Sequence, residues 1–224
     1  MTEAEWLAAT DPTPMLAFIR SKVSERKLRL FAVACCQGAC RLLQSQRFQN
    51  AIEMSELFAD GLASDGKLRK ARSQARESAR LILSPGRVPP WSRAVRILSA
   101  RSMVISVCSR NIDEVIQALS HVCVTADSSE SDELNRKLER QHRAAVLREV
   151  VQFRPVAADP LWLTSTVLAL AEGIYAANAF DRLPILADAL QDVGCSSDDI
   201  LSHLRSDGPH VKGCWALDGV LGKS

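Results

Sequence analysis

Residues 24–43 read SERKLRLFAVACCQGACRLL. Ser24 is a good N-cap residue, and Leu28, Phe31, Ala32, Cys35, Ala39 and Leu42 follow at spacings of three and four. That period puts the apolar side chains on one side of a helix. The same signature extends outward in both directions. Thr2 with Glu5 matches a capping box for a short first helix, and Thr13-Pro14 reads as an N-cap and N1 proline for a second. Downstream, Phe48, Ile52 and Phe58 belong to a helix that stops near Gly61. Ser64 begins another, with Leu68, Ala71, Ala75, Ala79 and Ile82 on one face. Ser84-Pro85-Gly86 and Pro89-Pro90 break that run.

Further helices are predicted over 91–109 and 111 to about 125, with the acidic DSSESD of residues 127–132 as a loop. The next contains Leu134, Leu138, Ala145 and Val150; then come 166–177, 181–193 with Gly194 as C′ residue, and a short helix from Asp198. No stretch alternates apolar and polar residues between hairpin turns. The expectation is an all-α chain, a multi-helix globular bundle or array with a small helical C-terminal subdomain and more than about half its residues helical. The segment FRPVAADP, residues 153–160, has two prolines and marks the predicted boundary between a helical domain, 1–153, and an acidic subdomain, 154–224.

Composition narrows the class. Hydrophobic residues make up 47% of the 224 and charged residues 24%, which suits a chain with a real core rather than a disordered one. The net charge of +2 conceals an asymmetry: residues 67–110 hold eleven Lys and Arg against one acid, Glu77. Residues 155–224 hold four basic and nine acidic side chains. The apolar run LWLTSTVLALAEGIYAANAF, residues 161–180, is long enough to span a bilayer but carries Glu172 at its centre, so a buried helix is expected and no membrane span. Seven cysteines, an odd number, follow an acidic N-terminus without a signal-peptide pattern, which predicts reduced thiols in a cytoplasm.

The segment FRPVAADPLWLT, continuing through FDRLPILADAL to GPHVKGCW, resembles the tail of an uncharacterised bacterial family of the planctomycete type. The opening TEAEWLAATDPTPML and the stretch RKLRLFAVACC are similar to it as well, whereas residues 64–150 are not. The resemblance implies a bacterial cytoplasmic setting and supplies no catalytic residue.

Several motifs dissolve on inspection. Gly222-Lys223-Ser224 has the ending of a phosphate-binding loop, but Leu217 stands where that loop needs glycine. Ser24 to Lys27 spells S-x-x-K at a charged helix start, where an N-cap is the simpler reading. Cys35, Cys36 and Cys40 read as small core residues; Asp181 reads as a cap, and Asp188 and Asp192 as a solvated face.

Two features remain. One is the basic segment, in which Lys67, Lys70, Arg76, Arg80, Arg93, Arg96 and Arg101 are expected to form a helical surface. Such a surface suits a protein partner, self-association or non-specific, salt-sensitive nucleic-acid binding. The other is Cys195, His203, His210 and Cys214, spaced C-x7-H-x6-H-x3-C, which has the ligand types of a structural zinc site but no standard finger spacing. The leading expectation is a non-enzymatic binding or interaction protein; the alternative is a metalloprotein or enzyme using the C-terminal Cys/His/Asp group.

Overall fold

The computed structural model describes residues 1–43, 45–81, 100–121 and 130–223. The expectations on Ile82, Ser84-Pro85-Gly86, Pro89-Pro90, Trp91, Arg93, Arg96, Cys123, residues 127–129, Ser224 and the Cys40 side chain lie outside them. Well over half of the described residues are helical and none is in a strand, so the chain is an all-α protein. The helices are α1 (Glu3–Ala8), α2 (Pro12–Ile19), α3 (Glu25–Leu43), α4 (Gln46–Ala59) and α5 (Asp65–Leu81), then helical residues 100–107 (α6). They continue with α7 (Ile112–His121), α8 (Glu130–Val150), α9 (Ser165–Ala177), α10 (Leu183–Asp192), α11 (Asp198–Leu204) and α12 (Trp215–Val220). No helix among the described residues is long and apolar enough to cross a membrane.

The chain divides into two compact units, Thr10–Arg143 and a second formed by Met1–Ala9 with Ala144–Ser224. The division therefore falls inside α8 and not at residues 153–160. Its cause is the N-terminus. Thr2 and Glu5 form the capping box of α1, and Trp6 is 1% exposed, its ring 6.1 Å from Phe153. Arg148 donates to the carbonyls of Trp6 and Ala9, at 3.1 and 2.9 Å, and so closes the open end of α1. These contacts tie the first nine residues to the last turn of α8.

In the larger unit α3 is buried on every side from Leu28 to Cys36, not along one stripe. A helix that is apolar all round forms the centre of its unit. The exception, Arg29, is 2% exposed and donates to the carbonyls of Val107, the last residue of α6, and of Ser109 and Arg110 just past it. Ser55 of α4 donates to Val107 as well, at 2.7 Å. Leu68, Ala71, Ala75 and Ala79 bury the predicted face of α5.

Several boundaries differ from expectation. Helix α2 starts at Pro12, not Pro14, because the Asp11 carboxylate caps the Thr13 N–H at 2.8 Å. Helix α8, Glu130–Val150, already includes residues 130–132 of the acidic segment expected as loop. Its Leu134 and Leu138 are more than half exposed. In α9 only Val167, Ala171, Ile174 and Tyr175 are buried, and Glu172 is exposed, so the helix lies at the edge of the core. Asp181 caps nothing: it lies in a 3-10 turn, Phe180–Arg182, ahead of α10.

Candidate metal centre

The smaller unit brings together Glu149, His203, His210 and Cys214, with donor atoms all within 4.8 Å of one another. Each is delivered by a different piece of chain. Glu149 sits in the last turn of α8, and His203 in the last turn of α11, whose N-cap Ser197 accepts from the Ile200 N–H. Gly208-Pro209 turns the chain and presents His210; a Cβ at Gly208 would lie 3.2 Å from His210 Cε1, so the turn packs closely on the imidazole. Gly213, at φ 94°, then places Cys214 as N-cap of α12.

Glu149 Oε1 lies 2.9 Å from His210 Nδ1, and its Oε2 lies 3.2 Å from His203 Nε2. That same His203 nitrogen is 3.3 Å from Cys214 Sγ. His210 Nε2 is 2.9 Å from the Ser206 carbonyl, which only accepts, so Nε2 carries the proton. Nδ1 therefore faces an ionised carboxylate. It either holds a second proton or gives its lone pair to a cation between the two. Trp215 lies against His203 at 4.6 Å between ring centroids, and the two imidazoles meet edge to face at 5.4 Å.

Burial opposes ionisation of Glu149, but hydrogen bonds and charge from His203 and His210 outweigh it and hold the carboxyl down at about 2. The hydrogen bond from Glu149 raises the His210 pKa, against burial. Burial first, and then the Glu149 charge, push the Cys214 thiol well above its ordinary value. Without a metal Glu149 is thus a carboxylate and Cys214 a neutral thiol, and the carboxylate favours the protonated form of His210.

A catalytic relay does not fit this arrangement. A Cys–His–Glu triad uses one imidazole nitrogen for the thiol and the other for the carboxylate. Here a single nitrogen faces both, and Cys214 is fully buried. The donor atoms of all four residues instead lie within 4.8 Å of one another, close enough to hold one metal ion.

Three of the four expected ligands are therefore brought together and Cys195 is not. Cys195 packs in the apolar core with residues such as Leu190, Ile200 and Leu204. Its place is taken by Glu149, 61 residues from His210. The sequence held a weak signal for it: an acid inside the apolar run AAVLREVV, at helical spacing from Val146.

The described residues of the basic segment do not gather on one face. Lys67, Lys70, Arg76 and Arg80 are exposed, but at about 100° per residue the first two flank one side of the buried face of α5 and the last two the other. Arg101 is not on a surface: it is 7% exposed and donates to the Ala79 carbonyl, near the C-terminal end of α5. Ion pairs with acids from outside the segment offset part of its charge, Arg69 with Asp65 and Arg72 with Glu114. Asp188 pairs with Arg205 at 2.7 Å on the exposed side of α10.

No protein family, curated protein or solved structure matches the chain.

Proposed function

We propose that this chain is a zinc-binding protein whose ion is structural, held by Glu149, His203, His210 and Cys214, and that its role is binding rather than catalysis. The observation that carries the reading is the convergence of four donors of different chain segments on one point. Donors held about 2.0–2.3 Å from zinc at tetrahedral angles lie roughly 3.3–3.7 Å apart, close to the spacings of His203 to Cys214 and to Glu149. The Ser206 carbonyl supports it, because metal-bound imidazoles usually donate their other N–H to such a group. Charge supports it too: carboxylate, thiolate and two neutral imidazoles balance a divalent cation in a buried site. Four protein ligands leave no open position, which suits a staple between α8, α11 and α12.

Elemental analysis of untagged protein purified without chelator tests the reading. About one equivalent of zinc per chain is expected, and less than about a tenth would refute it. Two variants separate this ligand set from a generic thiol effect. Cys214→Ser should lose the metal, and Cys195→Ser should keep it.

A further inference from the structure

We infer that the cleft between α5 and α6 is a binding site for a phosphate dianion, either inorganic phosphate or a small phosphomonoester. The cleft has a volume of about 350 Å³ and is lined by Arg72, Arg76, Arg101, Ser102, Ser106 and Glu114, with Ile105 as an apolar patch. Its decisive member is Arg101. Nη2 donates to the Ala79 carbonyl, but Nε and Nη1 are buried without a hydrogen-bond partner among the described residues. Burial pulls its pKa down, as expected for a cation removed from water without a counter-charge. A buried donor left unmade costs stability, and an unpaired buried charge costs more.

Other buried arginines of this unit show that the vacancy is not a habit of the fold. Arg143, 2% exposed, places Nε on Glu139 and Nη1 on the Leu119 carbonyl. Arg29 meets three carbonyls. Neither leaves a buried nitrogen unpartnered.

The neighbours of Arg101 fit an oxyanion. Arg72 bonds Glu114 and Ser109 through its terminal nitrogens and leaves Nε buried and unpartnered. Glu114 is held by Arg72 and by the Ser109 hydroxyl, which is the first cause of its lowered pKa, so its charge is already matched to Arg72. Arg76 is exposed at the rim. The surplus is two positive charges, from Arg76 and Arg101. Ser102 and Ser106 stand one helical turn apart on the same wall and add two hydroxyl donors. Two charges with donors from several directions match a tetrahedral dianion better than a carboxylate with one charge and two oxygens. The volume admits the phosphate and a small organic group along Ile105.

The test uses the full chain with no added metal. Inorganic phosphate, then phenyl phosphate, are titrated to about 20 mM against sodium chloride of equal ionic strength, with the unfolding midpoint as readout. Both phosphates should raise the midpoint where chloride does not, and Arg76→Ala, at an exposed position, should weaken the apparent Kd at least about tenfold. Arg101→Met should abolish the response. Arg76→Ala carries the test if that variant fails to fold. An equal response to chloride, or none to either phosphate, would overturn the inference. So would a single-stranded oligonucleotide that binds more tightly as it lengthens, since the cleft would then be part of a nucleic-acid track. The zinc reading stands or falls separately, because its readout is metal content.

Discussion

Glu149→Gln is the most informative single change to the cluster. In metal-free protein the carboxyl falls from 4.5 to about 2, a shift worth about 3 kcal/mol at 1.36 kcal/mol per unit. The sign follows from the depressed folded value. The contribution is fully present above the unfolded pKa near 4.5 and is lost as pH falls towards 2. The amide keeps the shape and removes the charge that His203 and His210 face. Urea unfolding in the presence of chelator at about pH 6 should show the variant about 3 kcal/mol less stable, and the gap should close on acidification towards pH 2. In a chain of this length the melting midpoint should fall by roughly 6–12 °C. With zinc present the gap should widen, because a ligand is lost as well. A difference below about 1 kcal/mol at pH 6, or one that does not shrink in acid, would refute the account of Glu149 as the electrostatic centre of the group.

Three further outcomes follow from the same geometry. The pH dependence near neutrality should reverse with metal: without zinc, the His210 contribution is present below its unfolded pKa of 6.5 and lost as pH rises through the raised folded value, whereas zinc displaces protons from His210 and Cys214 and should stabilise by up to about 2.7 kcal/mol per pH unit, as unfolding curves at several pH values would reveal. Trp6→Ala should cost about 3–5 kcal/mol and speed hydrogen exchange in the last turn of α8, since Trp6 is buried on Phe153 and its carbonyl is held by Arg148; wild-type exchange there would count against the assignment of residues 1–9 to that unit. Arg29→Met should cost about 3 kcal/mol or more by chemical denaturation, because carbonyls at the end of α6 and beyond it lose their donor, and Arg29→Lys should restore little of it.

The helices were legible because caps and period are local signals. Thr2, Ser24 and Ser64 open the helices they were expected to open, and Gly61 and Gly194 follow the ends of α4 and α10 with positive φ. The second helix was expected to open at Thr13-Pro14, but Asp11 caps it and Pro12 begins it, a cap of the same kind two residues earlier that the reading passed over. Helix α12 went unread, since six residues are too few to show a period. The site was three-quarters legible. His203, His210 and Cys214 lie within twelve positions, so residue type and a Gly-Pro turn could suggest them. Glu149 could not be found that way, since its approach depends on how α8 meets α11, which is tertiary information. Cys195 matched by type alone, and a thiol fits an apolar core as readily as a metal.

Of the basic segment's expected surface residues, Arg101 alone among the described ones is buried, and it shares that behaviour with arginines elsewhere in the chain. Counting Lys and Arg assumes that their charge faces water. In this chain several arginines instead enter the structure and meet carbonyls near the C-terminal ends of other helices: Arg29 at the end of α6, Arg101 in the last turn of α5, Arg143 in α7 and Arg148 at α1. The partial negative charge and open carbonyls of a helix end give a guanidinium both attraction and hydrogen bonds, so burial without a carboxylate is tolerable where the fork is filled. Short helices joined by tight turns create many such ends, and each can take up a guanidinium. The exception then carries the information. Arg101 alone among these four has two buried nitrogens without partners among the described residues, and it stands in the wall of a cleft with two more arginines. Local charge density counts such a guanidinium like any other, whereas its unfilled hydrogen bonds single it out.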